Sequence, residues 1–552
     1  MATTDRHLAI GNEETADGQR SKRAHYHYAF NTLLLIILLS LFVFGFNRVT
    51  RYERDVTRST FVVQGTISTP VLEMYPGHKE TPLVAIVAHG FSESKEMMTG
   101  FGIELARAGI TTYLFDFPGH GQSSVPISNN ASSLTTEKDN TIALSEVINY
   151  ARQHNSATKY PRIILLGHTT GTTAIGEYEM AHSTETDIIA TILVSPTWQG
   201  QPTSTEPKNM LLLVGQNDIP AELNNSTRLL HASCQSGNNQ PLSSGNTCGT
   251  IADGTAHRLV ILQNLDHITI VDASRTFQEM LDWLHSIDAH ISTTNMHADE
   301  RLTGLLLGVI CIILALFPLS DLLVDIFHIQ AARRSFRGLE MLFFHICLLI
   351  GIAVALAIQY IWQPFSFMHI ALADYVSGYF FIIAVVMAVL IFIFRRYVPL
   401  PLFSQIPQQL LLATVLAAFL YFTFGQLMTF AWQHFTFTLP RLWRFLAIFI
   451  LILPLFLLDE GINRGYQETG MLRAIMSSLI FKALLIGGLI VAVQITSGLN
   501  FLSIILPLLL LLFLVLVGSC IQLYHSGHAA FTGAIFTAFM IAWCMSMIFP
   551  IT

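Results

Sequence analysis

Residues 162–180 read RIILLGHTTGTTAIGEYEM. A short apolar run from Arg162 to Leu166 meets Gly167; Thr169 stands two residues on, Gly171 two further, and a helix-compatible run completes the stretch. That order predicts a strand, a sharp turn and a helix, with two glycines bracketing one threonine. The same alternation extends in both directions. FVVQGTIS (61–68) reads as an early strand, and TPLVAIVAHGF (81–91) is a continuous apolar run of the kind a strand buried on both faces shows. MTGFGIELARAG (98–109) has helical spacing and a glycine stop, ITTYLFDFPGHGQSS (110–124) is a second buried strand with a Gly-rich turn, and TEKDNTIALSEVINYARQH (136–154) is an amphipathic helix with Thr136 as its expected cap. DIIATILVSPT, NMLLLVGQND and RLVILQNLDH follow. Strands alternating with helices imply a mainly parallel, doubly wound α/β sheet covered on both faces.

This soluble pattern occupies only part of the 552-residue chain. Charged residues are 12% and apolar residues 52%, with a mean hydropathy of +0.51, against about 25% charged in an ordinary soluble domain. The deficit begins near residue 300. Residues 48–298 have a globular composition, and 299–552 form a series of long apolar runs, expected to be an all-α transmembrane bundle. The net charge of −7 and the lack of a basic patch or arm argue against a nucleic-acid partner. No metal site or cofactor is indicated by the residues, and oligomeric state is left open.

The first apolar run, AFNTLLLIILLSLFVFGF (29–46), follows a polar tail ending in Arg20, Lys22 and Arg23. A cleaved signal peptide competes with an uncleaved anchor. NRVTRYERD, rather than a small-residue cleavage site, comes next, which favours the anchor. Eight further runs, at about 303–323, 340–362, 376–394, 410–431, 442–458, 474–495, 501–523 and 531–549, are each near the ~20 residues that cross a bilayer. Arg333, Arg334, Arg337, Arg395, Arg396, Arg464 and Arg473 fall on the side of the N-terminal tail. Arg441, Arg444 and the arginines at 48, 51, 54 and 58 disagree. The balance predicts a cytoplasmic tail (1–28), an anchor (29–47), an extracytoplasmic domain (48–298) and a membrane domain (299–552) in the cell membrane. The bilayer is therefore the expected partner. Cys234 and Cys248 bracket a polar stretch, and a disulfide there suits an oxidising compartment. Closing such a loop stabilises by about 3 kcal/mol in the chain-entropy model. Lys482, inside SSLIFKALLIGG, is the intramembrane ionisable candidate, read as a snorkelling or interhelix-paired lysine or as part of a transport relay. Asp321, Asp325, Asp459 and Glu460 are expected near helix ends, within reach of headgroups or water.

Five motifs in residues 60–290, taken in order, resemble the α/β-hydrolase superfamily, of the lidless esterase, lipase and serine-aminopeptidase-like type. His89-Gly90-Phe91 resembles the oxyanion loop, and Asp116–Ser123 (DFPGHGQS) the D-x-x-G-x-G-x-S turn. Gly167–Gly171 (GHTTG) resembles the nucleophile elbow, Asp218 in GQND stands where the acid is kept, and His267 in LDHITI where the base is kept. The resemblance implies Thr169 as nucleophile, His267 as base, Asp218 as its orienting acid, and the backbone N–H groups of Phe91 and Thr170 as oxyanion donors. His120 and Asp116 are expected to shape a turn, and His168 to pack.

The central residue departs from the pattern. An elbow needs positive φ, an outlier for a β-branched residue, and threonine adds a methyl beside the reacting oxygen. Three readings stay open: an ester or acyl hydrolase or acyltransferase, a catalytically silent hydrolase-fold domain that binds or senses, and the accessory domain of a transporter. The stretch between ILVSPT and NMLLLVG is too short for a cap, so an open pocket is expected, with residues 219–257 as a small lid. An open site beside a membrane suggests an amphiphilic ester or acyl substrate.

Overall fold

A computed structural model describes residues 4–77, 82–128, 133–154, 161–234, 244–293, 301–332, 338–397, 401, 403–496, 498–499 and 501–552. Arg333, Arg334 and Arg337 lie outside them. The strands are β1 (Val56–Val63), β2 (Thr69–Pro76), β3 (Leu83–Ala88), β4 (Thr111–Phe115), β5 (Arg162–His168), β6 (Ile188–Val194), β7 (Met210–Gly215), β8 (Thr247–Cys248) and β9 (His257–Leu262). They form one sheet in the order β1-β2-β4-β3-β5-β6-β7-β9-β8. From β4 to β9 the neighbours are parallel, and β1, β2 and β8 add antiparallel edges.

The period of two along each strand divides the core. Leu83, Ala85, Val87, Ile164 and Leu166 face α2 (Thr99–Arg107) and α6 (Ser274–Ile287). Val84, Ile86, Ala88, Ile163 and Leu165 face α3 (Ser133–His154), α4 (Thr170–Ala181) and α5 (Pro220–Ser233). Both faces are covered, so the central strands read as unbroken apolar runs. Thr136 lies within α3 and is not its cap.

Among the described residues, nine helices are long and apolar enough to cross a membrane. The first is the apolar half of α1 (Thr4–Arg51), over Tyr26–Arg51. After the sheet come α7 (Arg301–Ile326), α8 (Gly338–Ile361), α9 (Ala373–Ile393), α10 (Ile406–Leu420) continued through a π turn into α11 (Gln426–Ala431), α12 (Leu439–Gln467), α13 (Met471–Ile495), α14 (Leu502–Gly527) and α15 (Ala530–Ile548). Helices α1 and α7 cross with backbones nearly touching. A Cβ on Gly45 would lie 2.9 Å from the Gly304 carbonyl oxygen, and one on Gly304 2.7 Å from that of Gly45. Small residues permit such contact where lipid supplies no hydrophobic drive.

Several charges have different settings from those expected. Helix α12 continues to Gln467, so Asp459 and Glu460 are buried within it rather than placed at an end. Arg464 is also buried, 2.9 Å from Glu460, rather than in a loop. Lys482 does not snorkel. It is 2% exposed and bonded to Asp459, whose other oxygen accepts from Asn463 at 2.6 Å. Two of the arginines that contradicted the charge balance, Arg441 and Arg444, are bound into the structure. Arg441 donates to the carbonyls of Gly119 and Gly121 in the α/β domain and to those of Ser546 and Phe549 at the end of α15. Arg444 donates to Met368 O at 2.9 Å. Ile551 exchanges backbone hydrogen bonds with Gly119 and Ile127, each 2.8 Å, so the C-terminus meets the α/β domain. Cys234 and Cys248 form a disulfide.

Candidate active site

Strand β5 ends at His168 and helix α4 begins at Thr170, which leaves Thr169 alone to make the turn, at φ 43° and ψ −113°. This is a strained setting for a threonine and costs on the order of 1–3 kcal/mol. The bracketing glycines explain how the chain tolerates it. A Cβ on Gly167 would lie 2.7 Å from the Gly171 carbonyl carbon, and one on Gly171 2.6 Å from Ala88 O. Strand, turn and the end of β3 therefore meet closer than any side chain permits. Gly90 is constrained by the threonine itself, since a Cβ there would sit 2.3 Å from Thr169 Cγ2.

The other predicted residues converge from neighbouring strand ends. Asp218 follows β7 and His267 follows β9; His267 Nδ1 lies 2.7 Å from Asp218 Oδ1. The same oxygen accepts from Ile219 N–H at 2.7 Å, and the other carboxylate oxygen accepts from the Ser195 hydroxyl. Burial pushes the Asp218 carboxyl up, but the His267 hydrogen bond and charge outweigh it and hold the pKa below the usual value. Burial pushes the His267 imidazole down, and Asp218 outweighs it, so its pKa stands above the usual value. Nδ1 is committed to the carboxylate, and Nε2 is the nitrogen left to take a proton.

The threonine is beside this pair without being bonded to it. Its hydroxyl accepts from Thr170 N–H at 2.6 Å, and no hydrogen bond joins it to His267. One of the two predicted oxyanion donors is thus engaged by the Thr169 hydroxyl. The other, Phe91, is fixed through its ring, which meets Phe501 edge-on at 5.0 Å. His89 braces this loop from below. Its Nδ1 bonds Gly90 O at 2.7 Å, and its Nε2 accepts from Phe117 N–H at 3.0 Å. Asp116 accepts from Gln122 N–H and from buried Lys95, so it and His120, bonded to Pro118 O, shape the turn as expected.

Three features had no assigned role in the sequence reading. Glu93 accepts from Gly90 N–H at 2.6 Å and lies 2.8 Å from His168 Nδ1, so His168 belongs to a second buried acid–imidazole pair. The His168 and His267 rings are 5.2 Å apart. Burial raises the Glu93 carboxyl, but His168 and the Gly90 N–H hold it below its usual range. Ser195, at the end of β6, supports Asp218; its only signal was its place beside the strand that carries the acid. The roof is the largest surprise. Thr169, His267, Phe91 and Glu93 line a cavity with about 670 Å³ of unfilled space, part of it open to the surroundings, and its far wall is Trp432 and Phe501 from the C-terminal apolar helices. His434 N–H donates to Ser94 Oγ at 3.1 Å, fastening the roof to the oxyanion loop. The C-terminal helices therefore supply part of the pocket wall, which stays partly open to the surroundings. Among the described residues of 219–257 none lines it: they include α5 and the edge strand β8.

The donor atoms of Cys234, Cys248 and His257 lie within 4.8 Å of one another, but the disulfide removes the thiolates a metal needs.

Residues 79–236 match the sequence model of the family described as serine aminopeptidase, S33. Three solved structures are similar to the chain. A predicted CIB-like hydrolase from Thermoplasma acidophilum is 14% identical with a TM-score of 0.32, covering 42% of this chain and 98% of its own. A thermophilic esterase from Thermogutta terrifontis, with malate bound, is 14% identical with a TM-score of 0.30, covering 42% and 99%. TT1662 from Thermus thermophilus is 15% identical with a TM-score of 0.31, covering 42% and 98%. No curated protein matches the sequence.

Proposed function

We propose that this chain, whose N-terminal half carries an α/β-hydrolase domain, is a membrane-embedded ester or acyl hydrolase, or an acyltransferase, with Thr169 as nucleophile. The carrying observation is the His267–Asp218 pair of 2.7 Å standing beside a threonine held at positive φ on a strand-to-helix turn, with His267 and Thr169 both opening into one cavity. In this reading Thr169 Oγ1 attacks the acyl carbonyl carbon and its proton passes to His267 Nε2. Asp218 stabilises the imidazolium. Phe91 N–H and Thr170 N–H receive the oxyanion, the second after release from Thr169 Oγ1. Collapse expels the alcohol with the His267 proton. Water, or a second alcohol in the transferase case, then attacks the acyl-threonine by the same route. The helices next to the cavity favour an amphiphilic substrate drawn from the bilayer.

The extracytoplasmic placement of the α/β domain is part of the proposal. Arg395 and Arg396 follow α9, whose start is beside the C-terminal residues that touch the domain, so these exposed arginines lie at the opposite end of the helices. The disulfide suits an oxidising compartment.

One observation favours the catalytically silent reading: Thr169 Oγ1 faces Thr170 N–H instead of His267, with the Glu93 carboxylate nearby. Turnover of a short-chain aryl ester by the full chain separates the two. The hydrolase reading expects turnover that Thr169→Ala abolishes and Thr169→Ser raises. Turnover seen only with Thr169→Ser assigns the native domain to binding.

A further inference from the structure

The catalytic cavity has a neighbour. A second cavity, enclosing about 990 Å³ of unfilled space partly open to the surroundings, lies among α9, α11, α13, α14 and α15. The two share four wall residues, Trp432, Ile505, Leu508 and Ile548. Their chemistry differs. The first presents Thr169, His267, Glu93 and Gln433. The second is walled by apolar side chains, among them Phe380, Met428, Phe435, Leu506 and Met545. Leu508, 43% exposed, stands on the shared wall and on the outer surface of α14, so the pair opens sideways where a bilayer surrounds the helices.

We infer that the second cavity is a binding site for the hydrocarbon chain of a long-chain acyl group, entered from the bilayer beside α14, with the chain's carboxyl end lying toward Thr169. A compartment that carries a few reacting polar groups on mostly apolar walls, joined to one walled by apolar side chains, fits a molecule with a small polar end and a long apolar one. Water gains no partners from the apolar walls, whereas a lipid tail fills them at no desolvation cost. The naming of the carboxyl end rests on the proposed function; the binding of a chain does not. The acyl group can arrive in a membrane glycerolipid or as a free fatty acid, and both present the same chain.

The test uses the full chain in nanodiscs with two photoreactive probes, a phosphatidylcholine and a free palmitic acid, each with a diazirine at the chain terminus. Labelled residues are mapped by mass spectrometry. The expected result is label on Met428, Phe435 and Met545, all buried, from at least one probe, falling about tenfold in Leu509→Trp, which narrows the cavity at its rim. The probe that labels identifies the source. Thr169→Ala should leave the labelling intact, so loss of ester turnover and loss of chain binding are separate outcomes. Label confined to outward residues such as Leu511 and Leu514, 60% and 47% exposed, overturns the inference, since bulk lipid alone produces it. Undiminished inner labelling in both Leu509→Trp and a second filling variant, Met428→Trp read at Phe435 and Met545, overturns it as well.

Discussion

Two buried ionic networks in this chain look alike and are set to different ends. Among the C-terminal apolar helices Lys482, Asp459, Asn463 and Ser477 form a chain of contacts across α12 and α13, with Arg464, Glu460 and Ser478 beside it. In the α/β domain His267, Asp218 and Ser195 form another. The first is closed on itself: Lys482 is 2% exposed and lines neither cavity. The second ends on a cavity, with His267 in the wall and one ring nitrogen uncommitted. A network closed on itself can hold helices together. One that opens on a cavity can also give and take a proton.

The comparison predicts that damage to the two networks separates stability from turnover. The largest effect is expected for Asp218→Asn, which should lower ester turnover by about 10⁴-fold, as loss of the orienting acid does in related triads, with little change in unfolding. A drop of less than tenfold would remove Asp218 from the mechanism. Next comes Asp459→Leu. It strands the Lys482 charge and should cost about 3–5 kcal/mol, read by denaturant unfolding in micelles, while turnover per folded molecule holds. Adding Lys482→Met should recover most of that loss. If the single variant is fully stable but inactive, the membrane network takes part in the chemistry and the contrast fails.

A smaller effect tests the elbow. Gly90→Ala drives a methyl onto Thr169 Cγ2 and should cost about 1–3 kcal/mol, as overpacking does. In Thr169→Ser that methyl is gone, so the same substitution should cost less, with a coupling energy of at least about 0.5 kcal/mol. Equal costs in both backgrounds would mean that Glu93, not Thr169, is what confines Gly90.

The smallest effect is in pH. His267 is raised above its ordinary value, so the neutral base, and with it turnover, should develop at higher pH than a free imidazole allows, and Asp218→Asn should move that limb down. For stability the sign is opposite. The His267 contribution is complete below its unfolded pKa of about 6.5 and fades as pH rises through the higher folded value. The Asp218 contribution is complete above about 3.9 and is lost as pH falls through its lower folded value. The pair should therefore stabilise most between those two pH values. Unfolding of His267→Gln followed across pH checks this; a difference from the native chain that grows above pH 8 would contradict it.

Much of the α/β domain was legible because its signals are local. The apolar runs, the glycines at 167 and 171, and the strand-end positions of Asp218 and His267 each follow from a few adjacent residues. The roof was not legible. Trp432 and Phe501 reach the site from helices hundreds of residues away, and their own segments show only apolarity, which fits lipid as well as it fits a pocket. Arg441 was read as a topology exception because charge was visible while the carbonyls of Gly119 and Phe549 that it binds were not. Asp459 and Glu460 were placed at a helix end because charge favours one; Lys482 and Arg464, their partners, allow burial instead. Glu93 had no sequence signal linking it to His168.

In the proposed mechanism Thr169 is a working nucleophile beneath a roof of apolar helices. The most direct measurement is reaction of the full chain in micelles with a fluorophosphonate, followed by peptide mapping. The expected result is a phosphonyl adduct on Thr169 that is absent from Thr169→Ala and slower to form in Asp218→Asn. An unmodified native chain beside a modified Thr169→Ser would contradict it, and would make the domain a hydrolase fold held silent by one methyl group.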